Sequence, residues 1–421
     1  MTKDAVKKYT KQLGIGGMIL HYISRFLTKA EMQIIGKMTR RFGKVKKNRM
    51  VFKNREMMDY TDNPGAFSQY LIDNGYNKEY EIIWLVSQKK KFRNKKIKNV
   101  KFVTAENKYG WSSPLAYYYG ATASFFFYSH NSAELNRYRC EGQTVVNLWH
   151  GCGYKDAEQA RKNQNSRADF DYALVPGPVF VKTKSRLWNC APGHLLMMGY
   201  PRYDWMLHPS MNQEEILERL FGWKGRKAVI WMPTFRKSEL GGCAENEIEL
   251  PCQLPGIRDE EELKQIDAYL RREQILLIIK KHPLQTGWDQ EEQGFTNIRY
   301  VSEDLLDRKE VRLYELIGVC DGLLSDYSSV AVDYLLLNRP LGYVLADYEI
   351  YKEKRGFVFD DPLEYMPGEH IYNVQQFEQF VLDVKNGKDD YENQRKAILA
   401  KTHNVTDNYC KRVLDYFKIT V

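Results

Sequence analysis

Thr144-Val145-Val146-Asn147-Leu148-Trp149-His150-Gly151-Cys152-Gly153-Tyr154-Lys155 is the stretch that decides how this chain reads. Its first five residues form a short apolar run that predicts a buried strand. The Gly pair then breaks the run at once and leaves His150 exposed at the strand's carboxyl end. Short buried runs that end in turns belong to parallel α/β construction, in which helices cover both faces of the sheet.

The same punctuation recurs on both sides. Upstream, Met50–Phe52, Ile82–Val86, Val100–Val103 and Ser124–Tyr128 read as strands, with helices through Gly65–Leu71 and Lys108–Tyr119. Downstream, Ala173–Val175 and Leu195–Met198 continue the series. After a connector with one helix, Trp205–Arg226, a second set follows: Ala228–Met232, Ile275–Ile279, Ile298–Tyr300, Gly322–Leu324 and Gly342–Val344. Gly241–Ile257 reads as a loop, and the chain from Val374 onward as charged helices. The expected fold class is therefore α/β, with two doubly wound Rossmann-like domains facing a cleft. Ligands in such sheets sit beyond the carboxyl ends of strands, so the residues just after each strand carry the chemistry.

Length and composition agree. The 421 residues, 43% of them hydrophobic, suit two or three packed domains. Seven scattered cysteines, with no C-x-x-C pair, give neither a disulfide framework nor a zinc site. No signal peptide is visible, and no apolar run reaches the roughly 20 residues of a membrane-spanning helix. A soluble or peripheral protein in a reducing compartment is expected.

The net charge of +9 comes from one end. Residues 1–50 hold 13 Lys and Arg against Asp4 and Glu31, which exceeds the total and leaves the remainder slightly acidic. Here Ile15, Ile19, Tyr22, Ile23, Phe26, Leu27, Ile34, Ile35 and Met38 recur at helical spacing between basic flanks. A basic amphipathic helical segment over residues 1–48 suits an anionic membrane surface, or docks on its own protein core. Nucleic acid is not an expected partner, because no binding motif accompanies the charge. A second basic run, Lys89 to Lys101, has eight Lys or Arg in 13 positions. It reads as a solvated loop or as part of a membrane- or polymer-facing surface.

Five strand ends offer chemistry. His150, with Lys155 nearby, is a candidate general base, since an imidazole that titrates near about 6.5 can take a hydroxyl proton. Arg202 in Gly199-Tyr200-Pro201-Arg202-Tyr203-Asp204 clamps a phosphate or pairs structurally with Asp204. Pro233-Thr234-Phe235-Arg236 presents a hydroxyl and the Arg236 guanidinium. Lys280-Lys281-His282-Pro283 makes a cationic point of the kind that stabilises phosphoryl transfer. Ser325-Asp326-Tyr327-Ser328-Ser329 opens a helix, where Ser328 and Ser329 serve an anion or simply cap the helix. No Walker A loop, dinucleotide fingerprint or acidic metal cluster is present, so neither a metal nor a cofactor is expected.

Taken in order, these motifs resemble the CDP-glycerol glycerophosphotransferase family, the teichoic-acid primases and polymerases. The likeness runs over roughly residues 50–375. Tyr60-Thr61-Asp62-Asn63-Pro64, Trp149-His150-Gly151 with Lys155, Gly199-Tyr200-Pro201-Arg202 with Asp204, Pro233-Thr234-Phe235-Arg236 and His282-Pro283 each match a family element. Asp326-Tyr327-Ser328-Ser329 with Asp333-Tyr334, Arg339-Pro340 and Arg355-Gly356-Phe357 match its long C-terminal block.

The resemblance implies a GT-B arrangement. An acceptor-side domain would span 49–205, a connector 206–225, a nucleotide-donor domain 226–375 and C-terminal helices 376–421. It implies transfer of glycerol phosphate from CDP-glycerol, with loss of CMP, onto a teichoic-acid or capsule-type polymer or its lipid-linked primer. It also implies peripheral attachment at the cytoplasmic face of the cell membrane. The alternatives are CDP-ribitol as donor, or a nucleotide-sugar glycosyltransferase. His150 and His282 would be catalytic. Arg202, Arg236, Ser328, Ser329, Asp326 and Lys155 would bind the donor. The family has Thr-Pro-Leu where this chain has Cys152-Gly153-Tyr154, and Asn where it has Tyr203, which bears on the acceptor.

Overall fold

The computed structural model describes residues 3–54, 60–106, 111, 113–130, 135, 137–155, 168–225, 227–234, 252, 254–280 and 294–421. Arg236 and His282 lie outside these residues, as do most of Gly241–Ile257 and part of the expected helix at 108–119.

Seven strands form the first sheet: β1 (Lys46–Lys53), β2 (Glu81–Val86), β3 (Val100–Thr104), β4 (Ala123–Tyr128), β5 (Thr144–Asn147), β6 (Tyr172–Val175) and β7 (Leu195–Met197). Six form the second: β8 (Lys227–Trp231), β9 (Ile275–Lys280), β10 (Ile298–Val301), β11 (Gly322–Ser325), β12 (Leu341–Val344) and β13 (Glu369–Ile371). Around them run α1 (Lys3–Phe42), α2 (Asp62–Asp73), α3 (Pro114–Thr122), α4 (Val181–Trp188), α5 (Tyr203–Leu207), α6 (Gln213–Phe221) and α7 (Glu260–Glu273). After these come α8 (Glu303–Lys309), α9 (Leu313–Val319), α10 (Ser329–Tyr334), α11 (Tyr348–Lys354), α12 (Val374–Asn386), α13 (Glu392–Thr402) and α14 (Tyr409–Tyr416).

The sheets are ordered β3-β2-β1-β4-β5-β6-β7 and β10-β9-β8-β11-β12-β13. Every ladder is parallel. The strand order therefore reverses between β1 and β4 in one sheet and between β8 and β11 in the other. These are the two switch points at which a doubly wound sheet opens a crevice.

Burial explains the strands. All six residues of β9 are buried, five of them Ile or Leu. Each such side chain contributes about 1.5–3 kcal/mol when taken out of water. Strand β13 has one buried apolar residue, Ile371, and the sequence pattern did not reveal it. The connector holds two helices rather than one, and the second, α6, is started by a capping box between Asn212 and Glu215.

One core cluster joins the two halves, running from Val51 and Phe127 to Leu323 and Tyr334. The chain end ties them further. After α13 it returns to the first half, where Asn404 N–H donates to Pro176 O and the Tyr409 and Cys410 N–H groups donate to Asp204. Asp204 is thus committed to the chain end.

Helix α1 breaks from helical geometry at Gly14 and ends at Phe42. Strand β1 opens at Lys46, so the boundary expected at 48/49 falls inside it. The helix lies against α3, its Ser24, Thr28 and Met32 are buried, and Gly36 stands against the Tyr138 ring. Ile15, Ile19, Ile23, Phe26, Ile34 and Met38 remain exposed. Among the described residues, no helix is long and apolar enough to cross a membrane.

Candidate active site between the two sheets

A cleft of about 950 Å³ lies between the carboxyl ends of the two sheets. His150, Lys155, Arg202, Ser328 and Ser329 all line it, together with Lys280 and Arg355.

The His150 turn is fixed on all sides. Trp149 stands at φ +52°, its N–H donates to Asn147 Oδ1 at 2.9 Å, and its indole N–H donates to Gly151 O at 2.6 Å. Asn63, from the start of α2, donates to Leu148 O and Trp149 O at 3.2 and 2.8 Å. His150 lies between two rings. His130 stacks on it at 3.7 Å and 8°, and the Trp149 ring lies tilted by 39° at 3.9 Å.

His130 was not singled out in the sequence. It stands two residues beyond β4, at the switch point, so the strand-end rule would have found it. Its Nδ1 lies 3.0 Å from Ser129 Oγ, which donates to Asn54 Oδ1 at 2.5 Å. This link stitches the first crevice. The second is stitched the same way: Asp326, fully buried after β11, accepts from Thr234 N–H and from the Thr234 hydroxyl at 2.6 Å. Asp326 therefore fixes the loop after β8.

Ser328 occupies the N-cap position of α10 but makes no side-chain cap bond. The bond of an ordinary Ser N-cap is absent, and its half-buried hydroxyl lines the cleft. The Gly turn from the other half comes up against this point. A Cβ on Gly151 would lie 2.5 Å from Ser329 Oγ, and one on Gly153 would lie 2.8 Å from Ser329 Cα. Only glycine allows the approach, and at Gly151 the φ of +134° demands it as well.

Arg202 is buried and bridges the halves. Its Nη1 donates to Asp62 Oδ1 at 2.6 Å and its Nη2 to Asp333 Oδ2 at 2.7 Å. Of the two sequence readings, the ion pair with Asp204 does not form. Burial works against the guanidinium charge, but Tyr314, Asp62 and Asp333 outweigh it and hold the group above its ordinary range. Tyr203 and Tyr314 also donate to Asp333, and burial pushes both phenols up, so they stay protonated donors.

The departures from the family pattern fill this joint. Cys152 Sγ lies 3.1 Å from Tyr200 OH, and Tyr154 OH lies 3.1 Å from Tyr343 OH and donates to Tyr365 O. Lys155 forms a backbone bridge with Phe357, and Val358 N–H donates to Tyr154 O at 2.7 Å. Lys280 ends β9 buried, its ammonium 2.8 Å from Glu303. Of the expected cationic point, Lys281 and His282 lie outside the described residues. Among those described, no group of three or more His, Cys, Asp or Glu is placed to hold a metal ion.

The sequence pattern described as CDP-Glycerol:Poly(glycerophosphate) glycerophosphotransferase matches residues 35–417. A teichoic acid poly(glycerol phosphate) polymerase of Bacillus spizizenii is 24% identical over 361 residues, 81% of this chain and 84% of that protein. A teichoic acid ribitol-phosphate primase of the same organism is 27% identical over 53% of this chain and 57% of its own length. Among solved structures, the wall teichoic acid polymerase TagF superposes with a TM-score of 0.68 at 19% identity, over 99% of this chain and 98% of that one. A putative UDP-N-acetylglucosamine 2-epimerase from Listeria monocytogenes gives a TM-score of 0.52 at 11% identity, over 89% of this chain and 98% of that one. Both superpositions speak to fold.

Proposed function

The chain belongs to the CDP-glycerol:poly(glycerophosphate) glycerophosphotransferase family, and from that premise we propose that it moves glycerol phosphate from CDP-glycerol onto a teichoic-acid or capsule-type polymer or its lipid-linked primer. The observation that carries this reading is the meeting of the His150 turn with Ser329 across the cleft, made possible by Gly151 and Gly153. A candidate base from one half thereby faces candidate phosphate ligands from the other.

In the proposed reaction, a hydroxyl at the acceptor terminus attacks the phosphorus that bears glycerol. His150 takes the hydroxyl proton as the new P–O bond forms. The bond to the bridging oxygen breaks, and CMP leaves with the electron pair. Ser328 and Ser329 donate to the donor phosphates, and Lys155 adds positive charge beside them. Arg236 and His282 are assigned to the same phosphates on the family resemblance alone. Arg202 and Asp326 act at one remove: Arg202 holds the halves in register and Asp326 fixes Thr234.

Glycerol is preferred over ribitol because the family description names it, although ribitol-phosphate enzymes stand among the relatives. The exposed apolar stripe of α1, bordered by Arg and Lys, supports peripheral attachment to an anionic membrane. The test is to offer CDP-glycerol, CDP-ribitol and a UDP-sugar to the full chain with a glycerol-phosphate acceptor. CMP release from CDP-glycerol, with a product heavier by one glycerol phosphate, is expected. UDP release, or no CMP from either CDP-polyol, overturns the proposal.

A further inference from the structure

We propose that the lysine run Lys89–Lys101 is a docking track for the phosphodiester chain of a polyanionic acceptor, which it leads into the cleft on the His150 side; this rests on the transfer reading above.

The run follows β2 at its carboxyl end, on the half that carries His150. It is anchored rather than loose. Phe92 stacks on Phe102 at 4.5 Å and 5°, and the Lys95 ammonium sits 4.7 Å over the Tyr60 ring. Lys91 and Lys95 line the cleft itself. Lys89 and Lys90, next to β2, and Lys96 and Lys98, on the way to the start of β3, do not line it and are exposed. Within the run, among the described residues, only Lys101 is ion-paired, to Glu81 at 2.6 Å. A row of unpaired ammonium groups on an anchored turn attracts an extended anion without first having to break internal pairs.

Two observations select the polymer. A nucleotide donor offers two phosphates, and its candidate serine ligands, Ser328 and Ser329, lie in the other half, so 13 residues of basic chain exceed its needs. The run also exposes no large apolar side chain, whereas α1 exposes several. A surface built to insert into lipid carries such groups, and this one does not.

The test is the full chain carrying Lys89→Gln, Lys90→Gln, Lys96→Gln and Lys98→Gln, none of which lines the cleft. Binding of fluorescein-labelled poly(glycerol phosphate), read by anisotropy at low salt, should weaken about tenfold and lose much of its salt dependence. In turnover, KM for that polymer should rise, while kcat and the KM for CDP-glycerol stay within about twofold. Unchanged polymer binding by the correctly folded variant overturns the proposal. So does a loss confined to phosphatidylglycerol vesicles, which would give the run to the membrane. If the unmodified protein releases no CMP, the transfer reading fails, yet the anisotropy measurement still decides the docking.

Discussion

Arg202 and Asp333 meet across the two halves of the molecule, Nη2 2.7 Å from Oδ2, with Asp333 fully buried and Arg202 nearly so. They come from different halves of the molecule, Arg202 at the start of α5 and Asp333 in α10, and are 131 positions apart. Removing one partner leaves a charge in the interior. Arg202→Met should therefore destabilise the protein by about 3–5 kcal/mol, measured by denaturant unfolding. Arg202→Met with Asp333→Asn should recover much of that loss. Equal destabilisation by the single and double variants would show that the pair is not coupled.

His150→Ala should cut kcat by about 100-fold or more while CDP-glycerol affinity stays near normal. Turnover and calorimetric binding of the donor check the two halves of this expectation. Near-normal turnover would remove His150 from the proposed reaction.

His130 lines the cleft and stacks on the His150 ring, which it is expected to hold in place. His130→Ala should lower kcat about tenfold with little change in donor KM, because the released imidazole samples unproductive orientations. His130→Phe restores a flat ring and should recover most of the rate. Failure of the Phe variant to exceed the Ala variant would point to the imidazole nitrogens instead.

Gly153→Ala places a methyl group 2.8–2.9 Å from the Ser329 backbone. The turn and the start of α10 must move apart, so the rate should fall by about tenfold or more while the melting temperature changes little. A rate like that of the parent protein would show that this close approach is not needed.

Burial holds the His403 imidazole far below its ordinary value, at about 3. The folded state keeps it neutral, while the unfolded chain takes up the proton once pH falls below about 6.5. Stability should therefore be complete above pH 6.5 and decline by about 1.4 kcal/mol per pH unit below it, down toward pH 3. His403→Gln should flatten this part of the unfolding profile. An unchanged acid slope would assign the decline to other groups.

The exposed stripe of α1 gives a membrane test that leaves β1 whole. Ile19→Gln, Ile23→Gln and Phe26→Gln together should reduce co-sedimentation with phosphatidylglycerol vesicles, and salt should weaken the binding of the unmodified protein. Retention of full binding by the triple variant would leave α1 as a helix docked against α3 only.

What the sequence settled by itself was local. Apolar runs such as Ile275–Ile279 must be buried on both faces, so twelve of the 13 strands among the described residues and their parallel α/β setting were readable from residue type and punctuation. The strand-end position of His150, and of Ser328 and Ser329, follows from the same rule. Three features needed the folded chain: the parallel pairing of β4 with β5 that brings His130 onto His150, the use of Gly153 as a seat for Ser329, and the commitment of Arg202 to Asp62 and Asp333 instead of Asp204. Each joins residues far apart in sequence, and the energy of a charge or a stacked ring depends on which neighbour packing supplies. Short-range pattern records that a residue is buried or stands at a turn; only the path of the chain through two sheets decides what it faces there.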